Sequence, residues 1–179
     1  MTYTPDPVIM PALVDVLAAM RTELAKTAVT PAHFRIVPGL ASVFALTAER
    51  DECCEGVAWV RVVSFYPSDE FPAQQANFEN LEAVSWAVVL ELGVGRCGGG
   101  PGPEMAPTDA QFLADAQTLM DDAAALRRVG AALELQPGHV LDYFYGPGAW
   151  DPIAAEGNCM GGALHFTVQV AACDRSQAG

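Results

Sequence analysis

Reactive side chains are few in this 179-residue chain, and the five cysteines come first: Cys53, Cys54, Cys97, Cys159 and Cys173. No two stand in the C-x-x-C spacing with which a short turn aims two thiolates at one zinc ion, so no metal site is expected. Cys53 and Cys54 precede one strand-like segment and Cys97 follows the next, so antiparallel pairing would bring these ends together. A disulfide between Cys97 and one of that pair is thus an alternative. Reduced structural thiols are the expectation, because the count is odd and a cytosol keeps thiols reduced. Gly93, Gly95 and Gly98 spell G-x-G-x-x-G. A dinucleotide site would need a helix to begin at once, and Gly99, Gly100, Pro101, Gly102, Pro103 and Pro107 forbid one before Thr108. A flexible loop is expected there, and no cofactor. His33, His139 and His165 are scattered without H-E-x-x-H spacing, and no G-x-S-x-G elbow occurs. Asp121 and Asp122 point in different directions on a helix and read as a solvated face. His165 reads as a surface or interface histidine. With no paired acid and base, no enzyme is expected.

Composition narrows the partners. Hydrophobic residues make up 51% and charged residues 17%, against a usual charged share of about 25%, so the chain must bury much of its surface. Acids outnumber bases 22 to 9, for a formal charge of −13, and the sole lysine is Lys26. A sequence-reading nucleic-acid binder needs a basic face, and an anionic membrane surface attracts one; neither fits. No run approaches the roughly 18 apolar residues of a membrane span, and Met1 to Pro7 lacks the pattern of a secretory signal. Synthesis in a cytosol is the expectation.

The elements that position these residues follow from periodicity. Asp6 and Pro7 form a helix start, and Ile9, Leu13, Val16, Leu17, Met20 and Leu24 predict an amphipathic helix over Val8 to Lys26. Phe34 to Val37, and Ser42 to Leu46 beyond Pro38-Gly39, suggest a strand or hairpin. Val57 to Phe65 and Val84 to Val94 are dense in β-branched and aromatic residues and predict two strands. In the later one Trp86, Val88, Leu90 and Leu92 share the core face. In the earlier one Ala58, Val60 and Val62 oppose Trp59, Arg61, Val63 and Phe65. Thr108 and Gln111 make a capping box for a helix from Asp109 to about Leu133. Leu164, Phe166, Val168 and Val170 alternate in a last strand, Ala163 to Ala172.

The expected fold is α/β of the α+β kind: one domain, residues 1 to 179, with a single sheet of about four strands packed by two helices. Both strong strands are apolar on most positions, which two helices cannot fully cover, so self-association is expected. Long loops are expected at about 66–82 and 134–161, a length uncommon in compact domains unless the loop binds something. Their aromatics are the interface candidates: Phe65, Tyr66, Phe71 and Phe78 around the first, and Tyr143, Phe144, Tyr145 and Trp150 in the second.

Several stretches carry a resemblance: EGVAWVRVVSFYPSDEFP at 55–72, LELGVGRC at 90–97, PTDAQFLADAQ at 107–117 and GNCMGGALHFTVQV at 157–170. Together they resemble neck or tail proteins of long-tailed phages that infect actinobacteria, and the element order is similar to the tail terminators of such phages. The resemblance spans roughly residues 8 to 172. It implies a small α/β virion subunit that forms a hexameric ring capping the tail tube. The implied partners are further copies, the tube protein and the head-side connector or stopper. DNA would pass through without sequence-specific binding, and no membrane is implied. The length of the second loop leaves another neck component (a head-to-tail stopper or adaptor) or a minor tail protein as the alternative. A soluble cysteine-based metal or redox enzyme is a third reading. For a terminator, candidate acids of the lumen are Glu49, Asp51, Glu52 and Glu55 in one turn, and Asp69, Glu70, Glu79 and Glu82 in the first loop. Such a lumen would repel phosphates over about 8 Å, the Debye length at physiological salt.

Overall fold

The computed structural model describes residues 9–39, 52–68, 70–74, 85–98, 107–134, 141–145, 148–156 and 159–171. Its elements are α1 (Ile9–Leu24), β1 (His33–Ile36), a one-turn α2 (Glu52–Glu55), β2 (Val57–Pro67), β3 (Ser85–Cys97), α3 (Asp109–Glu134), β4 (Leu141–Tyr145), β5 (Trp150–Glu156) and β6 (Cys159–Ala171). The fold is α+β, a single mixed sheet with two long helices. Six strands form the sheet where about four were expected, in the order β1-β2-β3-β6-β4, with β5 also paired to β6. Only β1 and β2 run parallel; the other pairs are antiparallel.

The two extra strands lie inside the segment expected to be a long loop at 134–161. β4 pairs with the C-terminal half of β6 and β5 with its N-terminal half, so the two short strands lie along one edge of β6. Between them the Gly148 amide donates to the His165 carbonyl at 2.8 Å. Pro152, which has no N–H to give a ladder, sits at this edge, where proline is tolerated. Ser42 to Leu46 lies outside the described residues, as do Asp6 and Pro7.

Both helices cover one face of the sheet. Leu13, Val16, Met20 and Leu24 of α1, with Leu126, Val129 and Leu133 of α3, close over Val60, Leu90, Leu92, Leu164 and Phe166. This is the face expected from the alternation in β3 and β6. The expected faces of β2 hold only as far as Val62. Val62 opposes Leu90 and Ser64 opposes Val89, so Val63 is an extra residue and β2 carries a bulge. One inserted residue reverses the alternation. Phe65 therefore moves to the helix-side face, opposite Val88, with its ring centroid 5.7 Å from that of Trp86.

The helices run antiparallel. Arg128 of α3 meets Glu23 near the end of α1, and the turn after α1, at Thr27 and Val29, shares a small cavity with Thr118 and Asp121. The Thr108 capping box forms as expected: the Thr108 amide donates to Gln111 Oε1 at 2.7 Å and the Gln111 amide to Thr108 Oγ1 at 3.3 Å. The first three turns of α3 extend past the end of α1.

Candidate functional site

Three polar constellations stand out. The first lies on the sheet face away from the helices. Arg61 opposes Glu91 in register and Glu91 opposes His165, so the three side chains form a row across β2, β3 and β6. Glu91 is 8% exposed in its side chain. Arg61 Nη2 donates to its Oε2 at 2.8 Å and Trp59 Nε1 to its Oε1 at 2.8 Å. His165 Nε2 stands 3.6 Å from the same Oε2, and its Nδ1 stands 3.4 Å from Asp151 Oδ2 on β5. Both Glu91 oxygens are thus engaged by N–H donors, which suits an anion held in place and not a free base. The row clamps four strands in register.

Trp59 is fully buried, and its ring lies against Gly93, its register partner. A Cβ at Gly93 would stand 2.8 Å from Trp59 Cη2 and closer still to Cζ2 and Cε2. The G-x-G-x-x-G stretch is therefore corrected: β3 continues to Cys97, so Gly93 and Gly95 are strand residues, and Gly93 makes room for an indole. A second indole repeats the device, with Trp150 lying over Gly162.

The second constellation is a buried ion pair on the helix side. Arg96 Nε and Nη2 donate to Asp122 at 2.8 and 2.6 Å, with Asp122 fully buried. The solvated reading of Asp122 is corrected, because the guanidinium at the end of β3 reaches up to α3. Burial pushes the Asp122 carboxyl above its ordinary value, against the pull of Arg96. A cavity of about 10 Å³ lies beside the pair, bounded by Thr27, Thr118 and Asp121 among others, the size of about one water molecule.

The third is the cysteine cluster. Register places Val57 opposite Gly95, which brings Cys54 and Cys97 to 4.2 Å between Cα atoms, and they are joined by a disulfide. Cys159, the register partner of Cys97, is disulfide-bonded too. The expectation of reduced thiols is corrected here; the alternative pairing to Cys97 is the one observed. Among the described residues no group of three or more His, Cys, Asp or Glu could hold a metal ion. No described helix is long and apolar enough to cross a membrane.

The expected interface aromatics separate. Phe65 is 56% exposed. Tyr66 is half-buried and donates its hydroxyl to the Pro72 carbonyl at 2.9 Å, folding back the segment that holds the half-buried Phe71. Tyr143, Phe144 and Tyr145 form part of β4. Trp150 packs against the main core. Phe78 lies outside the described residues. Of the acids, Glu52 opens α2, Glu55 is exposed and bonded to His33 Nε2 at 2.7 Å, and Glu70 is exposed. Glu49, Asp51, Asp69, Glu79 and Glu82 lie outside the described residues.

The surface missed from sequence is helical. Phe112, Leu113 and Met120 are 58%, 61% and 54% exposed on the part of α3 that extends past α1. The apolar stripe of α3 was legible as a stripe; that its first half meets no core was not. No protein family and no curated protein matches this chain.

Proposed function

We propose that this chain is the tail terminator of a long-tailed phage, a ring subunit that caps the tail tube and joins it to the head-side connector while DNA passes through. The observation that supports the reading is the architecture. One mixed sheet carries both long helices on one face, in the element order on which the resemblance rests except that β4 and β5 are added before the last strand. A second support is the uncovered apolar surface on α3, which suits a subunit made to be packed by neighbours. The clamped row at Glu91 and the Cys54–Cys97 disulfide suit a rigid structural part. The length of the second loop left another neck component as the alternative; β4 and β5 make part of that segment paired strand.

The test is genetic. A phage lacking this protein is expected to build full heads and tails of uncontrolled length that fail to join them. Tails of normal length joined to heads would overturn the reading and favour a peripheral tail component.

A further inference from the structure

Cys159 is disulfide-bonded, and Cys54 and Cys97 are bonded to each other. Of the five cysteines, Cys53 and Cys173 remain as partners for Cys159 within the chain. Ladder register separates them. Cys97 faces Cys159 at one end of the β3–β6 ladder and Ser85 faces Ala171 at the other, so Cys159 and Ala171 are the two ends of a 13-residue strand. At about 3.4 Å per residue that strand spans roughly 40 Å. Cys173 follows Ala171 by two residues, which reach at most about 7 Å. It therefore stays on the order of 30 Å from Cys159, far beyond the roughly 7 Å between Cα atoms that a disulfide can bridge.

Cys53 stands at the correct end. It precedes Cys54 in α2, and consecutive Cα atoms are about 3.8 Å apart. Directly opposed residues of an antiparallel pair, which Cys97 and Cys159 are, stand about 4.5–5.5 Å apart. The two spacings nearly match. With Cys54 already 4.2 Å from Cys97 between Cα atoms, a one-turn helix laid across the strand ends brings its adjacent cysteines over adjacent strands.

We infer that Cys53 is bonded to Cys159, so that Cys53 and Cys54 form a double clip fastening α2 across the ends of β3 and β6, with Cys173 left as the one thiol. Each link is made by two exchanges with a low-molecular-weight disulfide, glutathione disulfide. One cysteine thiolate displaces a glutathione thiolate to give a mixed disulfide, and the second cysteine thiolate displaces the other glutathione from it. The protein loses two electrons and two protons per link, and the acceptor leaves as two thiols. The clip sits where it controls an edge. A single helical turn is too short to persist unaided, and α2 with the residue after it holds β1, the strand at one edge of the sheet. The Glu55 and Gly56 carbonyls accept from the Ala32 and His33 amides at 3.0 and 3.1 Å, and the Glu55 carboxylate meets His33. Cys54 is exposed and Cys97 and Cys159 are half-buried, so a small thiol reaches the clip. Oxidation therefore fastens the α2–β1 edge and reduction releases it, while the β3–β6 ladder stands.

The test takes the full chain, isolated without reductant and equilibrated with glutathione disulfide, and alkylates it in denaturant before tryptic digestion. One thiol per chain, that of Cys173, is expected to react. Peptides 51–61, 97–127 and 129–175 are expected to be joined in one three-membered species. Chymotrypsin, cutting after Phe166, should leave Cys159 in that species and remove Cys173. An unlinked 129–175 peptide, a Cys159–Cys173 link or a link to a second chain would overturn the pairing. The double variant Cys54→Ser, Cys97→Ser keeps only the inferred link, so peptide 51–61 should stay joined to 129–175 until dithiothreitol is added; its release without reductant would also overturn the pairing. Hydrogen exchange read by mass spectrometry checks what the clip does. Reduction should speed exchange over residues 33–37 and 52–57 by about 10-fold or more and leave the centre of β3 and β6 unchanged. Equal exchange in oxidised and reduced chains would overturn the release of the edge.

Discussion

Replacing Gly93 with alanine is the sharpest test of the packing on the sheet face away from the helices. The new methyl group would overlap the buried Trp59 ring, standing 2.8 Å from Cη2 and nearer to two further ring atoms. Gly93 lies in the middle of β3 between two paired strands, so the backbone cannot retreat; the indole must move. Overpacking of this kind costs about 1–3 kcal/mol. Moving the indole also pulls Nε1 away from Glu91, a hydrogen bond to a charged acceptor worth about 1.5–3 kcal/mol. Alanine gains about 0.5–1 kcal/mol over glycine within a strand, leaving a net loss of about 3 kcal/mol. For a chain of this length that lowers the melting temperature by about 6–12 °C. Urea unfolding followed by tryptophan fluorescence would measure it, in wild type and in a Trp59→Leu background. The double-mutant cycle decides the cause, since without the indole Gly93→Ala should be nearly neutral. A cost under about 0.5 kcal/mol, or the same cost in both backgrounds, would refute the argument.

Asp122→Asn should destabilise by about 3–5 kcal/mol in thermal or urea unfolding at neutral pH, because it leaves the Arg96 charge buried without its counter-ion. The Lys26 hydrogen bond, aided by Arg128 against the effect of burial, holds the Glu23 carboxyl below its ordinary 4.5 in the folded chain. The unfolded chain then binds more protons as pH falls through and below 4.5, so stability drops there, and Glu23→Gln should make that acid limb shallower in urea titrations. Opening the Cys54–Cys97 link by a double serine substitution should cost up to about 4 kcal/mol on the chain-entropy estimate for its separation of 43 residues, read as a lower urea midpoint. On the terminator reading proposed above, reversing the exposed Glu55 and Glu70 to lysine should leave phage assembly intact and slow DNA ejection, as a DNA-release assay would show; unchanged ejection would speak against these two acids lining a lumen.

Elements with a strong period were legible in the sequence and those set by long-range pairing were not. The stripe from Ile9 to Leu24 and the alternation from Leu164 to Val170 announce a helix and a strand, because each period reports a buried face directly. β4 and β5 were hidden by Gly146, Pro147, Gly148 and Pro152, which punctuate like a loop in the sequence; Pro152 is tolerated because β5 is an edge strand bonded to β6 alone. The move of Phe65 to the helix side depends on one unpaired residue, Val63, which no local pattern marks. Arg61, Glu91 and His165 were each visible, yet their meeting depends on the register of three strands. Asp122 read as solvated because helical phase alone cannot see an arginine arriving from a strand more than twenty residues earlier.

The disulfide between Cys54 and Cys97 closes the open end of the β2–β3 hairpin and turns that stretch of chain into a covalent circle. A protease that cuts one peptide bond anywhere between these two cysteines linearises the circle without releasing a fragment. Both new ends stay tethered, and the rest of β2 and β3 stays zipped by its ladder. A nicked subunit should migrate as one band until a reductant is added and then as two. On the terminator reading proposed above, such a circle would let a subunit be cut once by a protease outside the host and keep its place.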